Sequence, residues 1–353
     1  MNKFAQQPTA KPTINDIARH AGVSLATVDR VLNDRPGVRA VTIERVNRAV
    51  ELLGYVRDTA AANLARQRVY RFLFLLPDSA GGYFDYLEAH VQEQAAQFSS
   101  ERTYLSTKRV STFNSQEISS LLDDLTTDST DGVALVAPET PTVRDAVARA
   151  QERGITVVAL LTDLPSSPRD HFVGIDNVKA GQTAATLMGR FTLSNRSKPA
   201  KLLVLTDSRF SRGFLERRFG FDTTIAQGFP HLSVLPTCVV NNRDPLAEDV
   251  LPRAFARCPD IAGIYSTSPN NDVLIRFLES TPHELSVIAH ELTPVSRSAL
   301  KSGSFDAIIS QDATHIVGSA VRLMRATIDG VPFNAMQERS RIEIYIDENL
   351  PDL

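Results

Sequence analysis

The stretch Thr13-Ile-Asn-Asp-Ile-Ala-Arg-His-Ala-Gly-Val-Ser-Leu-Ala-Thr-Val-Asp-Arg-Val-Leu-Asn33 reads as two short helices pivoting on Gly22-Val23-Ser24. Thr13 and Asp16 have the spacing of a capping box, and Ile14, Ile17, Ala18 and Ala21 fall on one helical face. Gly22 can take the positive φ that ends the first helix, and Ser24 can cap the second. At about 100° per residue, Thr27, Val28, Val31 and Leu32 share one side of that second helix. Leu25, Ala26, Asp29, Arg30 and Asn33 share the other, where short or polar groups can reach base edges. A glycine-turned αα-corner would account for the pivot alone. A third amphipathic helix follows, however, over Thr42–Leu53, with Ile43, Val46, Ala49, Val50 and Leu53 at helical spacing and Gly54-Tyr55 closing it. Three such helices make a self-contained headpiece of the helix-turn-helix type, whose second helix is suited to a DNA groove.

Charge supports that reading. The chain of 353 residues has a net charge of -3, yet residues 1–68 hold eleven Lys and Arg against six Asp and Glu. A basic head on an acidic body offers one end to phosphates. The length suggests two or three domains. No apolar run approaches the length of a membrane span and the polar first twelve residues are no signal peptide, so the expected location is the bacterial cytoplasm, on the nucleoid. Cys238 and Cys258 lack metal-type spacing and read as reduced packing residues. There is no Trp, which removes the commonest sugar-stacking ring.

From Tyr70 the pattern changes to short β-rich runs alternating with helical stretches. Arg71-Phe-Leu-Phe-Leu-Leu76 precedes Phe84–Phe98, Gly132-Val-Ala-Leu-Val-Ala137 precedes Thr142–Arg153, and Ile155–Leu161 comes next. Lys201-Leu-Leu-Val-Leu-Thr206, Ala262-Gly-Ile-Tyr265 and Ser286-Val-Ile-Ala289 repeat the scheme. Continuous apolar strands alternating with helices imply parallel sheets covered on both faces, and there are too many for one ordinary sheet. Two doubly wound lobes are expected, with a ligand cleft at the carboxyl ends of their strands. Between head and body, Arg57–Arg68 is Ala-rich with the isolated Leu64, either a solvated linker or a helix that forms only with a partner.

Taken together these segments closely resemble the LacI/GalR family of bacterial transcription repressors over nearly the whole chain. The most specific evidence is T-I-x-D-I-A-x-x-A-G-V-S-x-x-T-V-x-R-V-L-N at Thr13–Asn33, followed by Gly37-Val38, Thr42 and Leu53-Gly54-Tyr55. The body adds Phe172-Val-Gly-Ile-Asp176, Ala180-Gly181, Gly263-Ile-Tyr265, and Gly303 before Ile308-Ile-Ser-Gln311. The resemblance implies an α plus α/β architecture: a headpiece over residues 1–57, a hinge over 58–69, an N-lobe of 70–175 with 307–336, and a C-lobe of 176–306 with 337–353. It implies that Leu25 and Ala26 set base preference, that Arg30 reaches a guanine edge, and that Thr13, Thr27 and Asn33 meet phosphates. Ala61 and Leu64 would enter the minor groove, Leu64 as a wedge. Asp29 and Arg39 stand where the family usually has small polar residues; Asp29 is expected to accept from cytosine N4 or to orient an Arg such as Arg39.

For the ligand cleft the resemblance implies Tyr83 and Phe84 as ring faces, with Asp163, Arg217 (or Arg212), Asn271, Glu291 and Gln311 binding hydroxyls as paired donors and acceptors. His290 and Asp312 are further candidates, and Asp176 matches a crossover position. The expected protein is a dimeric repressor of a near-palindromic operator on double-stranded DNA, released by a sugar or polyol, with corepression or a non-sugar effector the alternative. No cofactor, metal or catalysis is expected: P-loop, G-x-S-x-G, H-E-x-x-H and G-x-G-x-x-G motifs do not occur. After a last strand expected at Arg341–Ile346 no heptad tail follows, which favours a dimer over a tetramer.

Overall fold

The computed structural model describes residues 12–32, 36–53, 68–78, 82–111, 114–192, 199–208, 211–240, 247–280 and 285–351. The expectations for Asn33, Ala61, Leu64 and the hinge up to residue 67 fall outside them. The chain divides into two compact units, Met1–Arg68 and Val69–Leu353.

In the first unit, α1 (Ile14–Ala21), α2 (Leu25–Leu32) and α3 (Ala40–Leu53) enclose a core of Ile17, Ala18, Ala21, Val28, Val31, Val46 and Ala49. The helix starts and stops are local chemistry. Thr13 accepts from the Asp16 amide while the Asp16 carboxylate takes the Thr13 amide at 2.9 Å and its hydroxyl at 2.7 Å, a complete capping box. Gly22 ends α1 at φ 63, a left-handed backbone that glycine adopts without a Cβ penalty. Ser24 Oγ then accepts the Thr27 amide at 3.2 Å and starts α2. Ile14 and Ile43, expected in the core, are 40% and 38% exposed. Each sits at the first turn of its helix, where fewer neighbouring turns are available to cover it.

The second unit holds two sheets, parallel throughout except for the last strand of the second. The first has order β2-β1-β3-β4-β5, from β1 (Tyr70–Asp78), β2 (Thr103–Ser111), β3 (Gly132–Leu135), β4 (Thr156–Leu160) and β5 (His171–Val173). The second runs β12-β11-β10-β9-β6-β7, from β6 (Ala200–Thr206), β7 (Leu232–Val234), β9 (Ile261–Ser266), β10 (Ser286–His290), β11 (Ala307–Ser310) and β12 (Glu343–Tyr345), with β8 (Cys238–Val239) paired to β6. On the first sheet, α4 (Tyr83–Ser99) and α12 (Ala313–Asp329) cover one face, and α5 (Ser115–Asp124) with α6 (Pro141–Glu152) the other. On the second, α7 (Asn177–Phe191) and α8 (Arg212–Gly228) lie opposite α9 (Ala247–Arg257), α10 (Asp272–Ser280) and α11 (Pro294–Lys301). Both sheets are therefore buried on both sides, as their unbroken apolar strands require.

The lobe boundary near residue 307 differs from expectation. Strand β11 hydrogen-bonds to β10, with Ile288 opposite Ala307, so residues 307–310 belong to the second lobe, and only α12 returns to the first. Main-chain pairing with β10 and the antiparallel return of β12 along its other edge fix that choice. The chain thus crosses between lobes around residues 174–176, 311–312 and 330–342.

Two glycines bring α7 and α8 together. A Cβ on Gly181 would lie 2.0 Å from the Arg217 carbonyl oxygen, and one on Gly220 2.1 Å from that of Val178. Only the missing side chains allow this approach, and it sets Arg217 beside the first residue of α7.

Candidate functional site

The headpiece presents one polar face. Leu25 is 49% exposed, Ala26 and Arg30 are exposed, and Asp29 and Thr27 are half-buried, while Val28 and Val31 turn inward. Thr27 Oγ1 lies 2.9 Å from Ser24 Oγ, and Thr13 is tied into its capping box. Beside α2 lies an open basin of about 320 Å³ bordered by Ser24, Thr27, Arg30, Arg39, Thr42 and Arg45. Three guanidiniums at one concavity favour an anion there. Arg45 escaped the sequence reading because its place on α3 has meaning only once α3 is packed against α2.

Between the two lobes of the body, the strand ends converge on a small cavity of about 40 Å³. Tyr83, Phe84, Val136, Leu161, Phe214 and Pro269 form its apolar walls, with Thr162, Asn177, Arg217 and Glu291 among its polar ones. Arg217 is the centre of the polar side. Its Nε donates to Asn177 Oδ1 at 2.8 Å, Nη1 to the Thr267 carbonyl at 3.2 Å and Nη2 to Glu291 Oε1 at 3.2 Å. Arg217 and Glu291 are 4% and 3% exposed. Burial raises the Glu291 carboxyl, against the pull of Arg217 and Gln311. Glu291 also holds φ 68, and Leu161 at the cavity wall φ 62. Left-handed backbone at non-glycine residues costs energy, and two of the three instances among the described residues, Arg102 being the other, lie at this cavity.

Two buried polar atoms here lack a hydrogen-bond partner in the chain: Tyr83 Oη and Glu291 Oε2. Such atoms cost about 1–3 kcal/mol each unless something satisfies them. Burial, then the Glu291 charge, push the Tyr83 hydroxyl well above its ordinary pKa, so it is a neutral hydroxyl that can donate.

The expected ligand residues separate into groups. Tyr83, Phe84, Arg217 and Glu291 border the cavity. Gln311 stands behind it, donating to Glu291 Oε1 at 3.1 Å and accepting the Ile175 amide at 3.3 Å. Asn271 is buried in another network, accepting from Ser266 Oγ at 2.6 Å. Asp163 does not join them: it forms a two-pronged pair with Arg169 and faces a different groove. A guanidinium six residues away in the same loop takes the carboxylate out of the cleft. His290 is wholly buried with Nε2 at 2.8 Å from Tyr265 Oη, and burial holds it neutral. Asp312 caps α12 through the His315 amide, and Asp176 caps α7 through that of Lys179.

The alternative Arg212 has a separate role. Its Nη1 meets Glu139 Oε2 of the first lobe at 2.6 Å while Nε holds Glu216 Oε1 at 2.7 Å. Burial alone would raise Glu139, but hydrogen bonds from Ser166 and Arg212 outweigh it and the carboxyl titrates below its ordinary range. Gly213 N to Thr162 Oγ1 at 3.0 Å and Tyr83 N to the Pro269 carbonyl at 3.2 Å add further ties between lobes. Sequence reading missed Asn177, Thr162, Phe214 and Glu139; Asn177, at the first turn of a helix after a strand, carried the only signal.

Comparison with known proteins follows this division. Residues 13–58 match the bacterial regulatory proteins of the lacI family, and residues 72–331 match the periplasmic binding protein domain. The chain belongs to the lacI family of bacterial regulatory proteins, with a periplasmic-binding-protein body. The maltose regulon regulatory protein MalI of Vibrio furnissii is 40% identical over 87 residues, 25% of this chain and 64% of that protein. Catabolite control protein A of Streptococcus mutans serotype c is 28% identical over 181 residues, 50% of this chain and 51% of that one. The chain thus spans less than two thirds of these relatives' length. Among solved structures, a LacI transcriptional regulator from Bacteroides fragilis superposes with a TM-score of 0.70 at 16% identity, covering 80% of this chain and 98% of that one. A solute binding protein from Burkholderia graminis, in complex with D-arabinose, gives 0.68 at 21%, covering 79% and 96%. These likenesses concern the fold. No described helix of this lacI-family chain is long and apolar enough to cross a membrane.

Proposed function

We propose that this lacI-family protein is a repressor that binds a near-palindromic operator as a homodimer and is released by a sugar or polyol held between the lobes of its body. The observation that carries the DNA half is the outward face of α2, where Leu25, Ala26 and Arg30 remain exposed beside a basin with three arginines. A helix with its polar side bare and its apolar side buried is built to lie in a groove. Arg30 reads a guanine edge, and Thr13 and Thr27 set register on phosphates.

The effector half rests on Tyr83 Oη and Glu291 Oε2, which have no partner until a hydroxyl-bearing ligand arrives. The cavity of about 40 Å³ lies far below the roughly 300 Å³ at which small-molecule sites begin, so admitting a sugar parts the lobes. That movement changes the N-lobe and, through it, the headpieces. The reading is of a binding protein, not an enzyme.

The test has two arms on the full chain. Selection from a random DNA pool yields a palindromic site, and Arg30→Ala weakens discrimination at one base pair by about tenfold or more, equivalent to 1–3 kcal/mol, at an unchanged urea midpoint. A protein with no sequence preference would end the repressor reading. In a thermal-shift screen of sugars and polyols, a hit at about a hundred times Kd adds roughly 2.7 kcal/mol, and Glu291→Gln removes it. Silence across a broad panel would leave a regulator with another kind of signal. Asp29→Ser alters base preference or lowers affinity; tighter binding to an unchanged site would sink both roles given to Asp29.

A further inference from the structure

A second, wider cavity lies apart from the one between Tyr83 and Glu291. This groove of about 690 Å³ runs along two of the segments that cross between lobes, residues 174–176 and 336–342, and past the start of α7. Its walls carry three carboxylates and three cations, and the pairing among them is uneven. Asp163 is held by Arg169, with Nη2 to Oδ2 at 2.7 Å. Asp176 caps α7 and meets Lys179 Nζ at 3.4 Å. Glu216 is held by Arg212. Arg339 and Arg341 are left over: both are exposed, both border the groove, and neither has a carboxylate partner among the described residues. Between them Ser340 Oγ is buried with no hydrogen-bond partner.

Two guanidinium forks and an unsatisfied hydroxyl on three consecutive residues are the donors a phosphate group needs. The start of α7, a helix of 15 residues, faces the same space and adds positive potential. Phe172, Met336 and Ile342 supply apolar wall for the remainder of a ligand. We propose that this groove is a second ligand site, separate from the interlobe cavity, for a small molecule carrying a phosphate group. Its occupant touches two crossovers at once, so it biases how the lobes move.

The experiment is calorimetric titration of the full chain at fixed ionic strength, first with inorganic phosphate and then with a hexose 6-phosphate. The expected result is saturable binding, weakened at least about tenfold by Arg339→Gln with Arg341→Gln, and less by Ser340→Ala. Tyr83→Phe, which removes only the unpartnered hydroxyl of the interlobe cavity, leaves it unchanged. Arg339→Lys with Arg341→Lys keeps the charge but loses the fork, and falls between wild type and the Gln pair. Tighter binding of the hexose phosphate than of phosphate alone marks a phosphate ester as the natural class; equal binding marks the free anion. No saturable heat with either probe overturns the proposal. So does binding that survives the double Gln variant, or that Tyr83→Phe abolishes, since the phosphate then sits between Tyr83 and Glu291.

Discussion

Arg30 and Arg217 are the same side chain put to opposite uses. Arg30 stands exposed on a helix of eight residues, its donors turned away from the headpiece core. Arg217 is buried between lobes and places its donors on Asn177, Thr267 and Glu291. A protruding guanidinium awaits a partner from outside and contributes little to folding. An enclosed one is part of the fold and shapes the interlobe cavity by what it holds in place. On the proposed function, removing Arg30 changes what the protein recognises, whereas removing Arg217 changes whether the body holds together.

The sharpest way to break this contrast is Arg217→Ala. It strands the Glu291 carboxylate in a site from which water is excluded, and losing one partner of a buried pair typically costs about 3–5 kcal/mol. Urea unfolding of the body should record that loss. Arg217→Met combined with Glu291→Gln should recover most of it, because the buried charges disappear together. A single variant as stable as wild type would mean that the pair is solvated and that Arg217 resembles Arg30 after all.

Asp207, at the end of β6, sharpens the comparison through pH. Burial pushes its carboxyl up to about 6, backbone hydrogen bonds and Arg217 only partly opposing, and its Oδ1 has no partner. A carboxyl raised in the folded state lends stability that is fully present below its unfolded pKa near 3.8 and is lost as pH rises through about 6. Asp207→Asn should abolish that loss and gain up to about 3 kcal/mol over wild type at pH 7, with little difference at pH 3.5. Glu139 has the opposite sign: its carboxyl is lowered, so the contact with Arg212 stabilises above the unfolded pKa and fades as acid protonates it. A Asp207→Asn denaturation curve parallel to wild type across pH 4–7 would show that Asp207 is solvated in the folded chain.

The same contrast explains what could be read from the sequence. The headpiece was legible because its determinants are local: Thr13 with Asp16, Gly22, and Ser24 with Thr27 all act within four residues. Alternating apolar runs made two doubly wound lobes legible as well. The assignment of residues 307–310 was not, because a strand's sheet is decided by which distant edge it pairs with, here Ile288 of β10. The cleft was legible in part for the same reason. Tyr83, Phe84, Arg217 and Glu291 meet only through tertiary packing, and a strand-end position fixes which side chains arrive. It does not reveal that Arg169 has already claimed Asp163.

Thr13 supplies the smallest expected effect and the most searching one, since it lies on both sides of the contrast. It caps α1 from within the fold, and the proposed operator complex also assigns it a phosphate. Thr13→Ala should lower headpiece stability by about 1 kcal/mol, the usual value of an N-cap, and also weaken DNA binding equally across sequences. Thr13→Ser keeps a hydroxyl that can accept the Asp16 amide and should restore the stability. If DNA affinity returns with it, a hydroxyl serves both ends; if stability returns and affinity does not, the threonine methyl is needed to place α1 against the backbone. If Thr13→Ala leaves affinity intact at a temperature where the headpiece is fully folded, Thr13 belongs with Arg217 as a residue of the fold, and register on DNA rests with Thr27 and the arginines of the basin.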